Sequence, residues 1–179
     1  MGNLLADFLK APASSIADKG VRAGVELHRR IDRFTDTHRL FFRSVDRMSA
    51  ARRRIGPVLV DIFYDHFLAR NWQEYAPVPL LEFLETSGTR MMRLWPLVPE
   101  ASKPRLERLM PLHWMTCYAE IDGIGAVVDR VAMRVRAELG MAGGVEELVK
   151  NYEGLAEDFR EFLGELQAYV ETLRAPKQW

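Results

Sequence analysis

A chain of 179 residues with one cysteine, and with 25 Lys and Arg balancing 25 Asp and Glu, is one ordinary domain long enough to bury its own core. The single Cys117 excludes an internal disulfide framework and fits a reducing, cytoplasmic compartment; no run of about 18 apolar residues excludes a membrane-spanning helix, and the start lacks the layout of a signal peptide. Residues 22–54 carry ten arginines against Glu26, Asp32, Asp36 and Asp46, while residues 146–171 carry eight acids against Lys150 and Arg160, so the first region either meets an anionic partner or is balanced by the acidic one.

In chain order, residues 2–9 read as a short apolar helix interrupted by Asp7, which if buried must be paired, capping or metal-bound. Residues 10–19 read as a loop with Ser15 as N-cap. A helix follows over 21–37 with three faces: an apolar stripe of Leu27, Ile31 and Phe34, an arginine flank of Arg22, Arg29, Arg30 and Arg33, and between them His28, Asp32 and Asp36. At about 100° per residue these three fall within about 80° of arc, which places metal-ligand side chains at the edge of the core. Residues 38–50 read as a second helix, or a bent continuation of the first, on Leu40, Phe41, Val45 and Met48, and Arg52, Arg53 and Arg54 form a basic turn that ends at Gly56.

Pro57 suits the first position of a helix that runs to Asn71. Val58, Leu59, Val60, Ile62, Phe63, Tyr64, Phe67 and Leu68 make it apolar around much of its circumference, so Asp61, Asp65 and His66 are expected to find partners inside the protein. Hydrogen bonds could supply them, and one shared metal would satisfy all three. Beyond a Pro77/Pro79 loop, a helix over 80–97 uses Met91, Met92 and Trp95 as core filling. A helix over 104–119, broken at Pro111, carries a structural His113 and a structural Cys117. The next covers 121–139 and stops at Gly140, Gly143 and Gly144. A long amphipathic helix over 145–174 reads as a lid over the bundle.

Sustained alternation and Asn-Gly or Asp-Gly hairpins are absent, so the expected fold is all-α, a single-domain helical bundle over 1–179. A P-loop, a dinucleotide fingerprint, a Gly-x-Ser-x-Gly elbow and Cys-x-x-Cys pairs are missing too. Asp7, His28, Asp32, Asp36, Asp61, Asp65 and His66 offer carboxylate oxygen and imidazole nitrogen without thiolate, which suits Mn2+, Mg2+ or Fe2+ before structural zinc. Such an ion activates water and polarises a phosphoryl oxygen, with arginines to neutralise phosphate. Phosphoester hydrolysis uses all these parts, although helix-pairing salt bridges explain much of the same pattern.

Three stretches carry a resemblance: Gly2-Asn3-Leu4-Leu5-Ala6-Asp7-Phe8, Leu27-His28-Arg29-Arg30-Ile31-Asp32-Arg33-Phe34-Thr35-Asp36-Thr37-His38, and Asp61-Ile62-Phe63-Tyr64-Asp65-His66-Phe67-Leu68-Ala69. In this order and spacing, with Trp114-x-x-x-Tyr118 and Gly123-Ile124 after them, the chain resembles the acyl carrier protein phosphodiesterases. The resemblance implies a helical, HD-domain-like phosphohydrolase that favours manganese and removes 4′-phosphopantetheine from holo-acyl carrier protein. Asp7, His28, Asp65 and His66 are then expected to hold the metal. Asp32, Asp36 and Asp61 would orient those ligands or take a proton from water, and His38 would protonate the departing serine oxygen. Arg29, Arg30, Arg33, Arg52, Arg53 and Arg54 would dock the acidic carrier.

The chain departs from the family pattern in two places. Members usually begin with an Asn-Phe-Leu-Ala-His segment ahead of the Gly-Asn-Leu-Leu-Ala-Asp-Phe motif, at which this chain starts, and Arg39 stands where proline is common. Rival readings are a non-catalytic helical module that binds an acidic protein, and an HD-like hydrolase of another phosphoester such as a nucleotide.

Overall fold

A computed structural model describes residues 18–98, 100, 103–108, 112–136 and 139–174. Every regular element among them is helical: α1 (Lys19–Asp36), α2 (Arg39–Asp46), α3 (Gly56–Arg70), α4 (Trp72–Tyr75), α5 (Leu80–Arg93), α6 (Lys103–Glu107), α7 (Ile121–Ala132), α8 (Val145–Lys150) and α9 (Tyr152–Arg174), with 3-10 segments at Arg53–Ile55, Trp95–Leu97 and Leu112–Ala119. No helix of the described residues is long and apolar enough to cross a membrane. The chain groups into two compact units, one running to Phe34 and resuming over Val78–Met115, the other taking Thr35–Pro77 and the described residues from Thr116 onward.

In the first unit α1 starts where Asp18 accepts the Val21 backbone N–H at 2.8 Å, an Asp cap that satisfies one of the unpaired N–H groups of the first turn; the expected Ser15 cap lies outside the described residues. Val21 and Val25 are the buried positions of α1, and the expected stripe of Leu27, Ile31 and Phe34 is only half-buried. On α5 the core filling divides. Met91 is buried and Met92 is 51% exposed, because successive helix residues stand about 100° apart and one face of this amphipathic helix meets the core. The expected single helix over 104–119 is instead a short α6 followed by the 3-10 segment.

The second unit holds the larger core. His38 opens α2 in extended backbone (φ −81°, ψ 131°), its Nδ1 accepting the Leu40 N–H at 3.3 Å. Gly56 lets α3 approach α2: a Cβ there would stand 2.9 Å from Val45 Cγ1. The helix expected over 121–139 ends at Ala132, where no buried side chain anchors a further turn and Met133 is exposed. The long helix expected over 145–174 is two. Asn151 separates α8 from α9, its backbone N–H and its Nδ2 both donating to the Glu147 carbonyl at 3.1 and 3.0 Å. Nor is α9 a lid. It packs most extensively on α2 and also meets α3 and α8, burying Leu155, Phe159 and Phe162 among Tyr64 and Phe67.

The α2–α9 contact is organised by Asp158, a carboxylate with no exposed surface. Arg43 Nε donates to Oδ1 at 2.6 Å, Arg47 Nε and Ser44 Oγ donate to Oδ2 at 2.7 and 2.9 Å, and Arg47 Nη2 adds a bond to Oδ1 at 3.0 Å. Gly154 leaves the lane through which Arg47 reaches it, since a Cβ there would lie 2.2 Å from Arg47 Nη1. Burial works to raise the Asp158 pKa, but the Arg47 and Ser44 hydrogen bonds and the arginine charges outweigh it and hold the carboxyl below its ordinary value. Further ion pairs flank it. Arg43 meets Glu161 at 3.2 Å, Arg39 meets Glu165 at 2.5 Å, and Arg52 meets Glu146 and Glu147 at 3.2 and 3.6 Å. Much of the charge imbalance between residues 22–54 and 146–171 is thus answered within the protein.

Removing Asp158 strands two guanidinium groups at a helix contact, so Asp158→Ala is expected to cost on the order of 3 kcal/mol in urea unfolding, the low end for one partner of a buried pair because both arginines keep some water. A depressed folded pKa contributes stability that is complete above the unfolded value of about 3.9 and is lost as pH falls through the folded one. Wild type should therefore lose more stability than Asp158→Asn on acidification below about pH 4. At His38, Ala should lower stability by about 1 kcal/mol while Asn, itself a good cap, should preserve it; thermal denaturation of the two variants checks this.

Candidate active site

Asp61 and Asp65 stand one turn apart on the exposed side of α3, while Leu59, Val60, Ile62, Phe63, Tyr64, His66 and Phe67 are buried around them. Both acids lie on the narrow face that α3 leaves to solvent. Their proximity has an electrostatic consequence. The Asp65 carboxyl is pushed up to about 7, first by the protein atoms that crowd out its hydration and then by the negative charge of Asp61, although the residue keeps an exposed surface. Water reaches this carboxyl and protein surrounds it, so the protonated form persists near neutral pH. A pair of acids that share a site in this way can divide the tasks of proton donor and acceptor.

His66, about 100° around α3 from Asp65, has no exposed surface. Its Nδ1 donates to the Tyr118 carbonyl at 2.7 Å and its Nε2 accepts the Tyr152 hydroxyl at 3.0 Å. Burial is the main cause that lowers its pKa, so the ring is neutral. Tyr118 ends the 3-10 segment beside α3. Its phenol is raised to about 12, chiefly by burial and next by the charge of Asp65, with Arg130 opposing and Asp61 adding. Tyr118 is thus an electrostatic neighbour of the acid pair, and Arg130 of Tyr118. For Tyr152 a signal is available in the sequence: a tyrosine hydroxyl carried into a core needs a partner.

The remaining expected site residues lie elsewhere. On α1, His28 Nε2 and Asp32 Oδ2 pair at 3.1 Å across one turn, and Asp36 is exposed. Both ring nitrogens of His38 are held by helix packing: Nδ1 caps α2 and Nε2 donates to Glu165 at 3.1 Å. Among the six expected docking arginines, Arg52 and Arg53 form internal contacts. Arg52 donates to the Gly140 and Ala142 carbonyls and pairs with Glu146, and Arg53 donates to the Asp46 and Met48 carbonyls. Arg30, Arg33 and Arg54 are exposed and Arg29 is half-buried. Cys117, expected among apolar neighbours, is exposed.

Among the described residues, no group of three or more His, Cys, Asp or Glu side chains could hold a metal ion. Asp61 with Asp65, and His28 with Asp32, are pairs. Asp7 lies outside the described residues, and the His66 nitrogens are bonded to protein. The described side chains therefore do not fit a metal centre by themselves.

Comparison with known proteins assigns the chain to a family. The family model described as acyl carrier protein phosphodiesterase matches residues 1–166. The acyl carrier protein phosphodiesterase of Yersinia enterocolitica is 32% identical over 163 residues, 90% of this chain and 84% of the relative. That of Serratia proteamaculans is 33% identical over 167 residues, again 90% and 84%, and that of Pectobacterium atrosepticum 31% over 174 residues, 96% and 90%. No solved structure matches the chain. The match over residues 1–166 and the identities to these relatives place the chain in the acyl carrier protein phosphodiesterase family, whose members are hydrolases of phosphodiester bonds.

Proposed function

We propose that this protein hydrolyses the phosphodiester between 4′-phosphopantetheine and the serine of holo-acyl carrier protein in the cytoplasm, releasing the apo carrier and free 4′-phosphopantetheine. The family match over residues 1–166 is the observation that carries the reading, and the acid pair on α3 supplies a mechanism for it. A water oxygen bonds to phosphorus as the bond from phosphorus to the serine oxygen breaks. The Asp61 carboxylate takes the proton from that water, and Asp65, protonated near neutral pH, gives its proton to the departing serine oxygen. The exposure of both acids supports a substrate that is itself a folded protein, because the scissile bond must reach the catalyst while still attached to the carrier. Arg54, in the same compact unit as the acid pair, is an exposed cation through which an acidic carrier would be steered, which affects encounter rate and orientation more than affinity.

Manganese belongs to the proposal through the family resemblance and the carboxylate chemistry alone, and its ligand set would have to draw on side chains outside the described residues, Asp7 among them. Such an ion would supply activated water and charge neutralisation at the phosphoryl group.

Incubation with holo-acyl carrier protein and Mn2+, followed by intact mass, should show loss of the phosphopantetheine mass from the carrier; an unchanged carrier would refute the reading. Asp65 must be protonated to act as the acid, so activity should decline as pH rises through about 7, and Asp65→Asn should lower kcat by about 100-fold, the scale of one acid–base group, and abolish that alkaline limb. A chelator should remove activity and Mn2+ restore it; full turnover in excess chelator would take the metal out of the reaction.

A further inference from the structure

The buried side of α3 carries a side chain whose chemistry the acid pair does not use. The Tyr118 carbonyl can only accept a hydrogen bond, so at 2.7 Å His66 Nδ1 must carry the ring proton. In the neutral ring Nε2 then has a lone pair and no proton, and the Tyr152 hydroxyl, which it faces at 3.0 Å, donates to it. Burial keeps the ring neutral, and the neutral Nδ1–H tautomer satisfies both contacts. The rings of Phe67 and Tyr152 stand edge-on to the imidazole at 5.3 and 5.7 Å and leave it in an apolar surround. One turn further along α3, Arg70 Nη1 donates to the Ala119 carbonyl at 3.3 Å, so two successive carbonyls at the end of the 3-10 segment are met from one helix. The turn beyond them is equally constrained: a Cβ at Gly123 would lie 2.0 Å from the Cys117 carbonyl oxygen, and only glycine permits that approach. His66 thus joins three elements, α3, the Tyr118 end of the 3-10 segment, and the first turn of α9.

We propose that His66 is a positioning residue and not a metal ligand: as the neutral Nδ1–H imidazole it clamps the Tyr118 carbonyl and the Tyr152 hydroxyl to α3, fixing Tyr118 beside the helix that presents Asp61 and Asp65. The proposal rests on the reaction assigned above for its kinetic consequences, but not for its structural content. A metal at Nε2 would have to displace the Tyr152 hydroxyl from a buried contact, and one at Nδ1 would have to remove a proton held by a carbonyl with no other way to satisfy that bond.

Long-range nitrogen NMR of the four histidines, with His66 assigned from its absence in a His66→Asn sample, reads the tautomer directly. The Nδ1–H pattern, unchanged after addition of Mn2+-free Mg2+, is expected. The Nε2–H pattern, or a metal-induced shift of either ring nitrogen, would overturn the proposal. In activity assays Asn retains a short N–H donor for the Tyr118 carbonyl and Leu retains none. His66→Asn should therefore stay within about tenfold of wild-type kcat with KM and the half-activating Mn2+ concentration unchanged, while His66→Leu should fall by at least about 100-fold. Equal loss in both variants, or a tenfold rise in the Mn2+ requirement of His66→Asn, would favour a ligand. If wild type proves inactive on holo-acyl carrier protein, the assigned reaction fails and the tautomer still decides the role of His66.

Discussion

The second unit depends on a carboxylate buried where two helices cross. Asp158 has no water to solvate it, and an isolated charge in that position would be costly; Arg43, Arg47 and Ser44 replace the lost hydration with hydrogen bonds between 2.6 and 3.0 Å. The arrangement fixes register as well as charge. Ser44 also meets the Tyr64 hydroxyl at 2.9 Å, so a displacement of α9 along α2 would break the ion pairs and the link to α3 together. Buried ion pairs of this kind add little net stability over a hydrophobic substitute, but they penalise wrong alignments strongly.

With α9 and α2 set, the two sides of α3 acquire different work. Its inner side is tied by Tyr64 to the Asp158 cluster, by His66 to the 3-10 segment and α9, and by Phe67 to the aromatic layer with Phe159. Its outer side presents Asp61 and Asp65 from a backbone that cannot readily rotate. The acid pair of the proposed mechanism would gain from such support, because proton transfer is sensitive to small errors in position. The division also explains why one helix contains both a neutral, inaccessible imidazole next to an accessible carboxyl titrating near 7: adjacent residues on a helix can face opposite environments.

The arginine-rich segment illustrates how far a charge count carries. Ten arginines in 22–54 suggested a surface for an acidic partner, yet Arg39, Arg43, Arg47 and Arg52 pair with acids of α8 and α9, and Arg53 satisfies carbonyls of its own turn. Exposed members of the segment include Arg30 and Arg54. Charge complementarity between distant segments of one chain satisfies the same electrostatics as complementarity between two proteins, and composition does not distinguish them.

The sequence by itself determined the helical class, the start of α3 at Gly56-Pro57, the presence of Asp61 and Asp65 on one helical face, and the family through its motifs, because helical periodicity, proline geometry and short motifs are local properties of the chain. It also indicated that His66 would be buried and partnered, from the apolar residues on either side of it. Only the tertiary structure decided what those partners were. Tyr118 and Tyr152 lie 52 and 86 residues away, Asp158 lies 115 from Arg43, and Glu165 lies 127 from His38. Spacing along a helix states which side chains share a face, but the groups brought opposite that face come from packing between distant segments, and this packing turned His38 into a cap, His66 into a clamp and α9 into a wall of the core.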